Sequence, residues 1–194
     1  MKALYFYGDS NTYGFDPADY INGRYAEKDI WTSIVEESLR GKFSFTIDGM
    51  NGRCIPSSEW IIERINSIRT DIFAVMLGTN DYLQVPDTGY VADRMHRFLS
   101  LLHHKKILLC APVAIKIPGE PLFDTEDGRL SRGLQKVAAE LGCDFIDTQK
   151  WDCSLAFDGV HLSKEGHLMF GQRMTEFLKE KNSLNICKGG VHNG

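Results

Sequence analysis

Short apolar runs recur along this chain, and each is followed by a longer stretch in which apolar residues repeat with helical spacing. A strand buried on both faces reads as an unbroken apolar run, and a helix laid on such a sheet carries one apolar stripe. The alternation therefore predicts repeated βα units around a parallel sheet. The candidate strands are 2–7, 43–48, 71–77, 106–110 and 143–147. The spacing predicts a helix over 30–40, ended by Gly41, and another after Pro56 and Ser57 that carries Ile61, Ile62, Ile65 and Ile68. Two further stripes are Val91, Met95, Phe98 and Leu102, then Leu130, Leu134, Val137 and Leu141. A last one, Leu168, Met174, Phe177 and Leu178, follows a Ser163 cap.

Five strands with helices on both faces predict an α/β fold, a three-layer α/β/α sandwich whose five-stranded parallel sheet has the flavodoxin-like order 2-1-3-4-5. The segment 112–128, rich in Pro and Gly and without a period, reads as a long loop after the fourth strand. No repeat or linker interrupts the chain, so 1–181 is expected to form a single domain and 182–194 a polar C-terminal tail.

Composition removes several function classes. Lys plus Arg total 22 against 26 Asp plus Glu, a net charge of -4, which leaves no basic surplus for a phosphate backbone and predicts no nucleic-acid partner. No apolar stretch approaches the roughly 18 residues of a membrane span. The few apolar residues before Gly8-Asp9 are too short for a signal-peptide core, so a cytoplasmic protein is expected. The five cysteines are scattered, with no C-x-x-C pair, and read as free thiols. No helix-borne metal spacing appears, Gly8 to Gly14 lacks the G-x-G-x-x-G pattern, and no Gly-Lys-Ser/Thr follows a strand. The expectation is no metal and no cofactor. A homo-oligomer is left open.

In such a sheet, functional groups gather at the carboxyl ends of strands, where strand order reverses. Strand one is followed by Gly8-Asp9-Ser10-Asn11-Thr12, strand two by Gly49-Met50-Asn51-Gly52-Arg53 and strand three by Gly78-Thr79-Asn80-Asp81. With order 2-1-3, Ser10 sits between Gly52 and Asn80. Acyl transfer needs a hydroxyl nucleophile, a base and preorganised donors for an oxyanion, and each has a candidate. Ser10 supplies the hydroxyl on a turn leaving a strand. The backbone N–H groups of Ser10 and Gly52 and the side-chain amide of Asn80 are the oxyanion donors, Gly52 because it lacks a Cβ to obstruct a substrate. In Asp158-Gly159-Val160-His161 the carboxylate can turn back onto His161 Nδ1–H, leaving Nε2 for the Ser10 hydroxyl. His103 and His104, at the end of a predicted helix, are set aside, and His167 is the rival base. Asp81 is divided between a turn role and a site role.

These blocks resemble the SGNH (GDSL-like) hydrolase superfamily. Tyr7-Gly8-Asp9-Ser10-Asn11-Thr12-Tyr13-Gly14 is similar to its first block, Gly52 fits the second, Leu77-Gly78-Thr79-Asn80-Asp81 the third, and Asp158 to His167 the last, in order over 7–167. The resemblance implies a hydrolase of acyl esters with Ser10, Asp158 and His161 as triad and Ser10, Gly52 and Asn80 as oxyanion hole. Asn51-Gly52-Arg53 and Ile30-Trp31-Thr32 look most like the bacterial arylesterase and acetylesterase branch, from which Cys54 departs, a Thr being common there. The implied partner is a small-molecule acyl ester, with a short, acetyl-like acyl group. The alternatives are a thioesterase or lysophospholipase with a longer pocket, lined in part by 112–128 and 82–90, and a non-catalytic binding module on the same fold.

Overall fold

The computed structural model describes residues 1–188, with side chains as far as 181. In chain order the regular elements are β1 (Lys2–Gly8), α1 (Ser10–Tyr13), α2 (Trp31–Ser38), β2 (Phe43–Gly49), α3 (Glu59–Asn66), β3 (Ile72–Met76), α4 (Thr79–Gln84) and α5 (Thr88–Ser100). They continue with β4 (Ile107–Cys110), α6 (Arg129–Leu141), β5 (Asp144–Ile146) and α7 (Lys164–Lys188). All strand pairs are parallel and the order is β2-β1-β3-β4-β5, as the alternation predicts. The final helix continues through Lys188, and the remainder of the expected tail lies outside the described residues.

Side chains alternate across a strand, and β1 shows what this sheet does with the alternation. Tyr5 and Tyr7 face a core shared with Phe73, Val75, Phe98 and Leu134, where α5 packs on α6. Leu4 and Phe6 face the opposite core with Trp31, Phe170 and Met174, where α2 packs on α7. The Trp31 indole is fully buried, edge-on to Phe6 with centroids 4.9 Å apart and against Phe170 at 4.8 Å. Burial of a side chain that large, at roughly 25 cal/mol per Å², makes Trp31 one of the main anchors of this layer.

The helix ends follow local chemistry. Ser163 Oγ accepts from Gly166 N at 3.0 Å, the cap expected for α7. Gly41 lies three residues beyond the end of α2 in the left-handed region, at φ 79°. Two short helices, α1 and α4, stand where the sequence suggests only turns. One or two helical turns are too short to display a period, and α1 is held instead by Asp9, whose Oδ1 accepts from Asn11 N at 3.0 Å. The expected loop 112–128 contains a single 3-10 turn, Pro121–Phe123. It is pinned by a reciprocal pair between Ile115 and Thr125 and by Lys116 N donating to Gly159 O at 2.8 Å. His103 and His104 lie past the end of α5, not within it. His104 stacks on Phe73 at 4.8 Å and shares a hydrogen bond with Ile65 O, so its ring is structural.

Among the described residues no helix is long and apolar enough to cross a membrane. Cys54, Cys110, Cys143 and Cys153 are free thiols, and Cys187 lies outside the residues whose side chains are described.

In register, Gly8 pairs with Gly49 of β2 and with Met76 of β3, so three loops leave the sheet at one level. Gly49 also permits α1 to lie over it: a Cβ there would meet Tyr13 N at 2.4 Å and Thr12 C at 2.7 Å, both backbone atoms that cannot swing aside. Gly49→Ala is expected to cost roughly 2–3 kcal/mol through this overlap, read as a lowered urea midpoint. Unchanged stability would show that α1 is free to lift.

Candidate active site

Ser10 is the first residue of α1, immediately after the cap Asp9, and is 6% exposed. Its hydroxyl lies 3.0 Å from His161 Nε2, and His161 Nδ1 lies 2.6 Å from Asp158 Oδ2. A carboxylate only accepts, so the proton between His161 and Asp158 is on Nδ1, which leaves the Nε2 lone pair facing the Ser10 hydroxyl. Burial alone pushes the Asp158 carboxyl upward, but donation from the His161 ring and from the backbone N–H groups of Val160 and His161 holds it below the usual aspartate range. Asp158 is thus anionic at neutral pH. A base, an orienting anion and a hydroxyl stand in one hydrogen-bonded line, the arrangement by which a serine oxygen is made nucleophilic. The Phe15 ring covers the His161 imidazole, with centroids 4.6 Å apart.

His167 does not join this line. It is fully buried, its Nδ1 accepts from Trp31 N at 3.4 Å, and its ring meets Tyr25 edge to face. Burial, with a smaller contribution from His161, pushes its pKa down to about 4, so it remains neutral inside the α2–α7 layer.

On the other side of Ser10 the oxyanion candidates are joined to each other. Asn80, on the first turn of α4, donates from Nδ2 to Arg53 O at 3.1 Å. That carbonyl only accepts, so the NH₂ orientation is fixed and its second hydrogen is left for another acceptor. Gly52 precedes Arg53 and has φ 71°, with nothing within 4 Å of where a Cβ would stand. It is glycine because of its backbone conformation rather than for want of space in the protein.

This loop is held by two ion pairs. Arg53 donates to Gly8 O at 2.9 Å and pairs with Asp48, and its guanidinium lies 4.1 Å from the centre of the Tyr7 ring. Asp81, 1% exposed in its side chain, pairs with Arg94 at 2.8 Å and accepts from Ile55 N at 3.0 Å. Asp81 here ties α4 to Arg94 of α5 and to the backbone at Ile55, rather than only closing a turn. Cys54 and the 82–90 segment meet where Gln84 Nε2 donates to Cys54 Sγ at 3.3 Å. The 112–128 loop lines a cavity of about 630 Å³ with Ser154, Phe157 and Gly159, behind the His161 loop.

Sequence reasoning gave no role to Asn11. It is 2% exposed, its Oδ1 accepts from Leu162 N at 2.8 Å, and its Nδ2 donates to Val160 O at 3.2 Å, so one amide grips the backbone on both sides of His161. Trp31 Nε1 in turn donates to Asn11 O at 2.8 Å. An isolated Asn after a Ser carries no signal of such a contact; only its place next to the nucleophile candidate hints at it. Among the described residues no group of three or more His, Cys, Asp or Glu side chains is arranged to hold a metal ion.

The sequence model of the GDSL-like Lipase/Acylhydrolase family matches residues 6–169. Comparison with curated proteins gives no match. Among solved structures, the chain is similar to a carbohydrate acetylesterase family member from Sinorhizobium meliloti, with TM-score 0.80, 22% identity, and coverage of 93% of this chain and 98% of that one. It is also similar to the aryl esterase of M. smegmatis, with TM-score 0.77 and 19% identity over 93% and 99% of the two chains. A lipase/acylhydrolase from Enterococcus faecalis gives TM-score 0.72 and 20% identity over 93% and 97%.

If Asn11 positions His161, Asn11→Ala should lower kcat by about 10- to 100-fold, the scale of a small misplacement of a reacting group, and lower stability by leaving Leu162 N unpaired. Steady-state kinetics on the folded variant test this; full kcat would leave Asn11 a purely structural residue.

Proposed function

Because the chain belongs to the GDSL-like lipase/acylhydrolase family and is on that ground a carboxylic ester hydrolase, we propose that it is a serine esterase that cleaves short-chain acyl esters through an acyl-enzyme on Ser10. The observation that carries this reading is the unbroken hydrogen-bonded line from Ser10 Oγ through His161 to Asp158 Oδ2.

In the proposed reaction, Ser10 Oγ attacks the ester carbonyl as its proton passes to His161 Nε2, and Asp158 stabilises the imidazolium. The oxygen that becomes negative is received by the N–H groups of Ser10 and Gly52 and the free hydrogen of the Asn80 amide. His161 then returns its proton to the leaving alcohol, and water repeats the sequence on the acyl-enzyme. No metal or cofactor takes part. The short acyl group is supported by the motif resemblance to the arylesterase and acetylesterase branch and by the names of the structural neighbours.

A fluorophosphonate probe, which captures activated serines, should label the wild-type protein at Ser10 and leave Ser10→Ala unlabelled, with kcat of that variant at the blank rate. Near-wild-type turnover by Ser10→Ala would end the proposal. Activity on nitrophenyl esters should decline as the acyl chain is lengthened from acetyl; a rise would favour a long-chain acylhydrolase.

Asn80 has two bonds to make, one to Arg53 O and one to the oxyanion, and only the second exists solely in the transition state. Asn80→Ala should therefore lower kcat by about 10²–10³ and raise KM little. Measured beside thermal unfolding, a folded variant with unaltered kcat would remove Asn80 from the oxyanion hole.

A further inference from the structure

A cavity of about 420 Å³ begins at Gly52 and is bounded by β1, the oxyanion loop and α3. The reaction as described makes no use of it. Its walls include the rings of Tyr5 and Tyr7, and its charged groups are Asp48, Arg53, Arg64 and Arg94.

Most of the polar groups there are already engaged. Asp48 Oδ2 accepts from the Tyr5 hydroxyl at 2.7 Å and Asp48 Oδ1 from Arg53, while Arg94 is committed to Asp81. Two donors remain. Tyr7 is 5% exposed, yet its hydroxyl has no hydrogen-bond partner among the described residues. Burial, with a smaller contribution from Asp48, pushes that hydroxyl's pKa up, while Arg53 and Arg64 oppose the rise, so it is a neutral donor. Arg64 Nη2 stands 3.9 Å from Asp48 Oδ2, too far for a hydrogen bond to an oxygen that Tyr5 already occupies, and its side chain is 67% exposed. Beside them Trp60 is 64% and Met50 52% exposed, large apolar side chains left in water by a fold that buries most others.

A guanidinium only loosely paired with Asp48, a hydroxyl open to the cavity and two exposed apolar surfaces around one cavity define a ligand. We propose that the cavity binds an aryl or similarly apolar carboxylate, its anion held by the Arg64 guanidinium and the Tyr7 hydroxyl and its apolar body against Trp60 and Met50. The planar fork of arginine matches a carboxylate, and the volume is within the range of about 300–1,000 Å³ in which proteins enclose small ligands. Gly52 belongs both to this cavity and to the oxyanion donors, so part of an ester seated on Ser10 reaches into it. The enzyme therefore selects esters bearing an acidic group beyond an apolar spacer, a consequence that rests on the esterase reading.

Binding is measured by calorimetry on Ser10→Ala protein, with naphthoate and its neutral isostere naphthamide as probes, so that no catalysis enters. Naphthoate should bind about tenfold more tightly than naphthamide, Arg64→Gln should abolish that preference, and Trp60→Ala should weaken both. Tyr7→Phe, which keeps the ring in the core, should weaken naphthoate alone. Equal affinity for the two probes, or naphthoate binding to Arg64→Gln as tightly as to its parent, overturns the site.

The kinetic arm compares nitrophenyl hemiglutarate with nitrophenyl butyrate on Ser10 protein. The ratio of their kcat/KM values should fall about tenfold in Arg64→Gln, and an unmoved ratio overturns the link to substrate choice. If neither ester is cleaved, the esterase reading fails, while the calorimetry still decides the site.

Discussion

Parallel strands hydrogen-bonded in register deliver their following loops to one level, and in this protein that level is set by Gly8 between Gly49 and Met76. The first strand is interior, with the second on one side and the third on the other, so the loop carrying Ser10 emerges between those carrying Gly52 and Asn80. A shift of one residue in either pairing would turn Tyr5 and Tyr7 out of one core and Leu4 and Phe6 out of the other, which the two buried faces forbid. The placement of the reactive groups is thus secured by packing far larger than the groups themselves.

Register brings the loops together but does not fix their carbonyls and amides, and here polar groups work against the cost of burial. Arg53 gathers the carbonyls of Gly8 and Asp48, and Asp81 with Arg94 gathers both backbone groups of Ile55. A charge taken from water and left alone is strongly destabilising, so each of these side chains enforces the position of its partners. Asp9 is the exception in kind. Its side chain caps the helix that begins at Ser10, yet among the described residues Oδ2 has no well-formed hydrogen bond, and burial raises its pKa to about 6 despite the Asn11 N–H, the nearby His161 and the Thr79 hydroxyl. The turn that presents Ser10 is therefore held at some electrostatic cost, as is common where geometry at a reactive group takes precedence over comfort.

Strands and long helices were legible because their patterns are periodic and their causes local. The run Phe73 to Met76 reads as a buried strand, and Leu130, Leu134 and Val137 as a stripe, and both lie where expected. The short helices at Ser10 and Thr79 were not legible, since one turn has no period and their caps depend on neighbours. Ser10, Asp158 and His161 were found because their blocks carry side-chain chemistry in sequence, and the structure brings the three within hydrogen-bonding distance. Asn11 escaped because its partners, Val160 and Leu162, are contacted through backbone atoms about 150 residues away, and backbone atoms leave no trace in residue identity. Arg53 and Arg94 escaped for a related reason, as a basic residue near a loop reads as solvated surface until its acceptors are known.

The two histidines of the last segment show how environment, rather than residue type, sets what a ring nitrogen can do. His161 and His167 lie six residues apart; both ring nitrogens of His161 are hydrogen-bonded, but only Nδ1 of His167 is, among the described residues. In His161, Nδ1 donates to an anion, which fixes the tautomer and turns the other nitrogen toward a hydroxyl. In His167, Nδ1 accepts from a backbone N–H, so its proton is on Nε2, which is buried without a hydrogen-bond partner among the described residues. Protonating that ring would place a charge in the apolar layer between α2 and α7 with no carboxylate hydrogen-bonded to it, which is why its pKa falls to about 4. A base needs an oriented ring with a nitrogen that reaches the donor, and of the two rings only His161 turns its Nε2 to the Ser10 hydroxyl.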